Sequence, residues 1–265
     1  VVLSENLSPS NEFFCIRVAD LVVRIRPIHR ELIRFCSGYV VDDVEDTDIE
    51  ILVKQSDIDA ERNVAVEGVS WTDAYLETLV VQRAIADVLP ARRRLLMHGS
   101  VVEFNGLGYL FTAPSGTGKS THVRLWRQYL GKGVHVVNGD KPFIYVPDET
   151  AVPPVAYGTP WCGKEGWQQN SSVPLAGIVL LSRSDPGMST VRRVDAAPNL
   201  DKLLRQVYFP SDVLSSTLTL ELLDSVLGRV PVYELACDMS EDAVRVSFEG
   251  LTGGVYEGLH KGERK

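Results

Sequence analysis

The sequence predicts a mixed α/β fold: a largely antiparallel sheet that carries a glycine-rich loop, preceded by a smaller β-rich subdomain. Short apolar runs bounded by turn residues recur along the 265 residues. Asn105-Gly106 joins two such runs, and over 110–126 a strand passes through small residues directly into an amphipathic helix. We therefore expect a β-rich N-terminal subdomain with a connecting helix over 1–90 and a second domain over 91–265.

The composition excludes several classes of protein. A hydrophobic fraction of 45% and a charged fraction of 23% are typical of a globular protein in water. A net charge of −8 argues against nucleic acid as a partner, and no apolar run approaches the roughly 20 residues that span a bilayer. Four scattered cysteines predict neither a disulfide framework nor a zinc site. We expect a cytoplasmic protein that binds no membrane.

The first 90 residues show short strand patterns and one helix. Residues 12–27 predict two strands with a turn near Ala19-Asp20, and the acidic segment 42–66, with its run IEILV, predicts more exposed β structure. Thr72 is positioned to cap a helix that runs to about Leu89, where Pro90 ends the helical spacing.

A β-hairpin is predicted around Asn105-Gly106, because both residues of a two-residue turn must tolerate positive φ. SVVEF at 100–104 and LGYLFT at 107–112 are its strands, and the second one leads into the glycine-rich loop. A helix over 119–130 and a strand VHVVN ending towards Asp140 follow. Further on, the patterns predict a buried strand AGIVLLSR, helices in NLDKLLRQV and SDVLSSTLTLELLDSVL, a strand VPVYELA and a last helix SEDAVRVSFEGL.

The segment APSGTGKS, residues 113–120, fits the spacing of a Walker A P-loop, with Ala113 in place of the usual first glycine. Gly116 and Gly118 allow backbone N–H groups to converge on phosphate oxygens at a helix N-terminus. Lys119 is expected to reach the β- and γ-phosphates, and Ser120 to ligate Mg²⁺. The predicted nucleotide-binding residues are Pro114, Ser115, Gly116, Thr117, Gly118, Lys119, Ser120 and Thr121. The alternative is a strand-to-helix turn without a ligand.

Two residues outside this loop are candidates for the chemistry. Asp140 could hold Mg²⁺ or accept a proton from an attacking hydroxyl, although an aspartate before Pro142 also suits a turn. His98, in LLMHGS, could accept or shuttle a proton, although a lone histidine beside a strand is more often structural. Lys141 is equally suited to offsetting phosphate charge and to solvation.

The segment GTPWCGKEGWQQN, residues 158–170, combines three glycines, two tryptophans and Lys164. We expect a mobile loop in which Lys164 approaches the transferred phosphate and a tryptophan packs on the base or covers the site. The alternative is a surface loop anchored by a buried tryptophan. Arg183, Arg192 and Arg193 could clamp phosphates, but a solvated face explains them equally well.

The run MHGSVVEFNGLGYLFTAPSGTGKST, followed by Asp140, resembles the HPr kinase/phosphorylase family, whose nucleotide-binding core is shared with ATP-dependent phosphoenolpyruvate carboxykinases. The chain looks most similar to short kinase-like members that carry GTPW-x-GK after the core. This resemblance covers residues 95–200 and implies ATP, Mg²⁺ and phosphoryl transfer to a Ser hydroxyl of a protein or peptide. It also implies that His98 belongs to the site, and Lys119, Ser120 and Asp140 match its motif.

The chain departs from the family in two respects, and one of them bears directly on the chemistry. Gly139 stands where the family usually has the first of two adjacent acidic residues, and the family's arginine-glycine signature is not evident. We therefore do not expect reverse phosphorolysis, or HPr itself as the substrate. The resemblance favours a kinase with Asp140, His98 and Lys119 as catalytic residues and Ser120 and Asp140 at the metal, and it permits a homo-oligomer. The alternative is a nucleotide-binding regulatory or accessory protein with little catalysis.

Overall fold

The structure, a computed structural model, describes residues 12–42, 44–64 and 70–257. The chain forms two compact units, Val1–Val88 and Leu89–Lys265. The first 11 residues of the predicted N-terminal subdomain lie outside the described residues. Within the described ranges, no helix has both the length and the apolar character needed to cross a bilayer.

The first unit contains a four-stranded sheet in the order β3-β1-β2-β4. Ala19 and Asp20, with φ of 50° and 60°, form the predicted turn between β1 and β2, which pair antiparallel. The strands are β1 (Phe14–Val18), β2 (Leu21–Arg26), β3 (Val40–Val41) and β4 (Ile49–Leu52), and the helices are α1 (Glu31–Phe35), α2 (Gln55–Val64) and α3 (Asp73–Val88). The Thr72 hydroxyl accepts from the backbone N–H of Tyr75 at 3.2 Å, as predicted for the cap of α3.

The prediction of exposed β structure over 42–66 is wrong beyond β4, because 55–64 forms α2. The Asp57 carboxylate accepts from the backbone N–H of Lys54 at 2.9 Å, which satisfies a donor at the start of this helix. Ile58 and Glu61 are its buried residues, and their spacing of three is helical. The apolar run IEILV just before this helix has the alternation of a strand, and it hid the change to helical spacing a few residues later.

The second unit is built on a nine-stranded sheet. Its main order is β5-β9-β10-β11-β7-β6-β8, and β13 joins β11 and pairs with β12. The strands are β5 (Arg94–Leu96), β6 (Ser100–Phe104), β7 (Leu107–Thr112), β8 (Val134–Asn138), β9 (Phe143–Tyr145), β10 (Val155–Tyr157), β11 (Ser172–Arg183), β12 (Thr190–Val194) and β13 (Val232–Cys237). The helices are α4 (Lys119–Leu130), α5 (Leu200–Leu204), α6 (Val213–Arg229) and α7 (Glu241–Thr252).

The predicted hairpin is present and gives the sheet its mixed character. β6 and β7 pair antiparallel, and Asn105 and Gly106 have φ of 52° and 76° in the turn between them. On its other side β7 pairs parallel with β11, which in turn pairs parallel with β13. The other pairs described in this sheet are antiparallel. The unit is therefore a mixed α/β fold with mostly antiparallel pairing.

Both faces of the sheet are covered by helices. On one face, α4 and α7 pack through side chains such as Trp126 and Phe248 against Phe111 of β7. On the other face, Leu203 of α5 and Leu222 of α6 belong to a second buried cluster that includes strand residues. Because helices cover both faces of the sheet, a ligand can reach it only at its edges and at the loops that follow the strand ends.

A buried polar cluster joins α4 to α7. The Ser247 hydroxyl accepts from the Trp126 indole N–H at 2.8 Å and lies 3.1 Å from His122 Nε2. Among the described residues His122 Nδ1 has no hydrogen-bond partner, and burial lowers the pKa of His122 from 6.5 to about 4. The folded protein therefore holds this imidazole neutral at a pH where an exposed histidine is charged.

This burial predicts a loss of stability in mild acid. Because the folded pKa of His122 is depressed, the unfolded chain binds a proton first as the pH falls below 6.5, and stability is lost down to about pH 4. Between pH 7 and pH 5 the contribution is about 2 kcal/mol. Urea unfolding followed by tryptophan fluorescence should show that His122→Gln loses less free energy of unfolding between pH 7 and pH 5 than the wild type. His135→Gln, at an exposed position on β8, should lose as much as the wild type. The prediction is contradicted if both variants lose the same free energy of unfolding over this pH range.

Candidate functional site

The segments that the sequence analysis identified lie together at one edge of the large sheet, the edge formed by the carboxyl ends of its parallel strands. The parallel strands β7, β11 and β13 all end there. β6 begins at this edge because Ser100 pairs with Phe111, and antiparallel β8 ends there because Asn138 pairs with Val101. The residues around His98, the loop at 113–118, and Asp140 are thus brought together, as the sequence predicts for the loop and the carboxylate.

The glycine loop, residues 113–118, connects β7 to α4 and is held from within and from β11. Gly116 and Gly118 have φ of 78° and 128°, which explains why both positions are glycine. The Thr117 hydroxyl donates to the Pro114 carbonyl at 2.8 Å. Arg183 at the end of β11 donates to the carbonyls of Gly116 at 2.6 Å and Thr117 at 3.0 Å. Arg183 therefore positions the loop backbone.

The first turn of α4 faces the glycine loop without a side-chain cap. Gly118 occupies the N-cap position, and no side chain of the described residues makes a capping hydrogen bond there. α6 and α7, by contrast, are capped by Asp212 and Ser240. The first N–H groups of a helix lack partners in the preceding turn. The N-terminus of α4 is thus available to an anion, and the half-buried Ser120 and Thr121 lie in its first turn.

Lys119 is buried beside the glycine loop, with 8% of its surface exposed. Its ammonium group donates to the Ala113 carbonyl at 2.8 Å and to the Pro114 carbonyl at 3.4 Å. Burial lowers the pKa of Lys119, the negative charge of Asp140 opposes this, and Lys141 adds to the lowering. The charge of Asp140 therefore acts on the lysine, while the ammonium group itself is hydrogen-bonded to the loop carbonyls.

His98 lies between Gln206 and Asp140. Its Nδ1 is 2.8 Å from Gln206 Oε1, and its Nε2 is 3.3 Å from Asp140 Oδ1. Its backbone is also fixed, since its N–H donates to the Gln206 carbonyl and its carbonyl accepts from the Thr112 hydroxyl. A carboxylate oxygen can only accept, so Nε2 carries the proton that points to Asp140. His98 thus donates to the carboxylate and orients it.

The Asp140 carboxylate is held in its charged form. Burial by itself would raise the pKa of Asp140. The hydrogen bond from His98 and the positive charges of Lys141, His98 and Lys119 outweigh burial and hold this pKa below its usual value. The site therefore presents an ionised carboxylate near a buried lysine.

Asn138 shapes the turn that carries Asp140. Its buried side-chain oxygen accepts from the N–H groups of Asp140 at 2.9 Å and Lys141 at 2.7 Å. Its amide nitrogen donates to the carbonyl of Thr159 at 3.0 Å, and the Thr159 hydroxyl donates to the Lys141 carbonyl at 2.8 Å. Sequence reasoning missed Asn138, Thr159 and Gln206; the available signal was an asparagine two residues before a predicted site carboxylate.

Residues 158–170 form an anchored loop along this turn. Trp161 is 4% exposed and stacks against Phe143, so it packs as a buried anchor, which was the alternative to covering a base. Glu165 accepts from Arg124 of α4 at 2.8 Å, and Arg127 lies over the ring of Trp167. Lys164 is exposed, and no polar contact of its side chain is found within the described part of the chain.

The same loop explains Gly139. A Cβ atom added at this position would lie 2.4 Å from the carbonyl oxygen of Cys162 and 3.4 Å from that of Trp167. No real Cβ makes the first contact, and the obstacle is backbone. The space that a side chain at 139 needs is therefore occupied by the 158–170 loop, and the site has one carboxylate at this strand end.

Two side chains of the site, those of Ser120 and Asp140, could supply donors to a metal ion. The described residues contain no group of three or more His, Cys, Asp or Glu side chains that could hold a metal ion. Ser120 and Asp140 would supply one hydroxyl and one carboxylate. Mg²⁺ at phosphate sites is bound by one or two such ligands, with phosphate oxygens and water completing the octahedron.

Together the fold and the site define a mixed α/β protein in which a glycine loop and an open helix N-terminus lie near a histidine-carboxylate pair. No family model matches the chain, and no curated protein matches it. Among solved structures, the HPr(Ser) kinase/phosphatase from Coxiella burnetii matches 50% of this chain and 91% of its own length, with 13% sequence identity and a TM-score of 0.25. A TM-score of this size carries no argument about fold or chemistry.

The close approach at Gly139 predicts that even a methyl group is not tolerated there. Gly139→Ala should lower the free energy of unfolding by about 1–3 kcal/mol, because the Cys162 carbonyl has to move. Gly228→Ala is the matched control, since an added Cβ there meets nothing within 4 Å. Urea denaturation of both variants measures the difference, and a Gly139→Ala variant as stable as Gly228→Ala contradicts the close contact.

Proposed function

We propose that this chain is an ATP- and Mg²⁺-dependent kinase that transfers the γ-phosphoryl group to a hydroxyl, that of a serine in a protein or peptide. The observation that carries the proposal is the juxtaposition of the glycine loop and uncapped α4 N-terminus with the interacting pair Lys119 and Asp140. Phosphoryl transfer depends mainly on positioning and on electrostatic stabilisation. These groups provide both.

The glycine loop acts as the P-loop in this proposal. Backbone N–H groups of 115–121 bind the β- and γ-phosphate oxygens, and the dipole of α4 favours their negative charge. Lys119 exchanges the carbonyls of Ala113 and Pro114 for phosphate oxygens, so that its charge offsets the charge on the transferred group. Arg183 keeps the loop open by holding the Gly116 and Thr117 carbonyls away from the anion.

Ser120 and Asp140 are the residues that would hold Mg²⁺. When bound, the ion neutralises charge on the β- and γ-phosphates. In the chain itself, His98 occupies one lone pair of Asp140 Oδ1; the remaining lone pairs of the carboxylate would serve the metal on one oxygen and the acceptor hydroxyl on the other. Lys164 is exposed on the adjacent loop and would approach the transferred phosphate from solution.

The acceptor hydroxyl loses its proton to Asp140 as its oxygen bonds to the γ-phosphorus. The bond from that phosphorus to the oxygen bridging to the β-phosphate breaks, and ADP leaves with those electrons. His98 donates to Asp140 throughout and keeps the carboxylate oriented, which makes it a positioning residue. The pKa of Asp140 is low, so the carboxylate is ionised and able to accept the proton, and a loose transition state leaves most of the catalysis to positioning and electrostatic stabilisation.

A second candidate function is supported by Gly139. With one carboxylate where the kinase family it resembles usually has two acidic residues, the chain could bind a nucleotide and regulate another protein with little catalysis. Such a protein would keep the phosphate-binding groups and lose the proton acceptor or one metal ligand. The two functions differ in whether bound ATP is turned over.

We expect Lys119→Ala to abolish nucleotide binding and Asp140→Asn to abolish transfer while leaving nucleotide binding within about tenfold. The measurement is incubation with γ-labelled ATP, Mg²⁺ and a panel of Ser-containing peptides, together with calorimetry of ADP binding. His98→Gln should lower the rate less than Asp140→Asn, because it removes an orienting bond rather than the acceptor.

Lys132→Ala, in the turn after α4, is the matched lysine control and should bind ADP and transfer phosphate like the wild type. Wild-type protein that binds ADP but transfers no label to any peptide supports the accessory function instead. Wild-type protein that binds no nucleotide with Mg²⁺ contradicts both.

A further inference from the structure

A cavity of about 610 Å³ opens beside the glycine loop, at the same edge of the sheet. Its walls come from the ends of β7, β11 and β13, from β12, and from the segment 201–206 that includes the end of α5. Leu180, Leu181 and Ala236 contribute apolar surface, and Ala113 and Pro114 contribute the first residues of the glycine loop. A cavity of this volume has room for a small molecule or a few residues of a peptide.

The cavity is basic in an acidic protein. Four basic residues and two acidic residues line it: Arg183, Arg192, Lys202, Arg205, Asp201 and Glu234. The chain as a whole has a net charge of −8. Cations concentrated in a concave wall attract anions more strongly than the same charges on a convex surface.

The basic side chains are only partly neutralised by the chain. Glu234 pairs with both Arg192 and Lys202, and the hydrogen bond from Lys202 contributes most to holding the pKa of Glu234 below its usual value. The single negative charge of Glu234 is therefore shared between two positive charges and cannot neutralise both. The Arg205 side chain is exposed, and in the described ranges it has no hydrogen bond or ion pair.

The cavity is connected to the candidate catalytic carboxylate through two contacts. Gln206 lines the cavity, its side chain lies 2.8 Å from His98 Nδ1, and His98 Nε2 lies 3.3 Å from Asp140. His98 and Asp140 do not line the cavity themselves, and Gln206 and His98 connect its wall to the carboxylate that would accept a hydroxyl proton. A nucleoside base is neutral and needs no excess of arginine and lysine around it.

We propose that this cavity binds the phosphoryl acceptor, and that the acceptor carries a carboxylate or phosphate group close to its reacting hydroxyl. This inference rests on the proposed kinase function and adds the charge class of its substrate. Arg205 and Arg192 bind the anionic group, and the hydroxyl is directed towards His98 and Asp140. A free hydroxy acid and an acidic residue beside a serine are the two sources of this chemistry.

The test is direct binding, measured by calorimetry and by saturation-transfer NMR in the presence of Mg²⁺ and ADP. The probes are D-glycerate, glycerol 3-phosphate and uncharged glycerol, with N-acetyl-Ser-Glu-amide against N-acetyl-Ser-Gln-amide for a peptide source. We expect the anionic member of each set to bind and the neutral member not to bind. Arg205→Gln should weaken anion binding by about tenfold or more, as expected for loss of a charged hydrogen bond.

Arg193→Gln is the matched control, because Arg193 neighbours Arg192 on β12 but does not line the cavity. It should bind the anions as the wild type does. The inference is overturned if no anion binds, if glycerol binds equally well, or if Arg193→Gln weakens binding as much as Arg205→Gln. It is also overturned if ADP excludes the anions and Arg205→Gln weakens ADP, since the cavity is then the nucleoside site.

The anion titrations are repeated without nucleotide, and ADP binding is measured separately. Comparing the two results distinguishes a failure of this inference from a failure of the kinase proposal. If ADP binds and the anions do not, the cavity inference fails alone. If the anions bind and ADP does not, the kinase proposal fails and the role of the cavity as an acceptor site fails with it, while the anion site itself remains.

Discussion

The turn after β8 depends on one buried amide, that of Asn138. Its oxygen accepts from two consecutive backbone N–H groups and its nitrogen donates to Thr159, so a single side chain fixes both the turn and the start of the 158–170 loop. Asp140 projects from this turn. Because a buried amide left without partners costs about 1–3 kcal/mol, the arrangement is stable only while both segments are in place. The position of the carboxylate is therefore set by contacts remote in sequence.

The charges of the site hold one another in place. Burial removes water from the Lys119 ammonium group, and hydrogen bonds to two loop carbonyls replace part of the lost hydration. Asp140 stays ionised because of the hydrogen bond from His98 and the positive charges of the neighbouring lysines. Neither group could remain charged so readily alone, since isolated charges are costly to bury. The site is thus an electrostatically balanced group whose members support one another.

The sequence predicted those features that depend on local pattern. The β6–β7 hairpin follows from Asn105-Gly106, and α3, α4, α6 and α7 follow from apolar spacing over more than two turns. Three-residue strands such as β5, β9 and β10 are too short for any period to show. Gln206, which contacts His98 across 108 residues, and Arg183, which holds the glycine loop, act through tertiary contacts that no local pattern encodes.

The carbonyl of Cys162 beside Gly139 also constrains how such a site can change over evolutionary time. A second acidic residue cannot be gained here by one substitution, because the neighbouring loop must first be rebuilt to make room. Loss of that loop contact and gain of the side chain would have to occur together or pass through a weakened intermediate. Sites with one and with two carboxylates at this strand end are therefore separated by a barrier in sequence space, and each lineage is expected to keep the form it has.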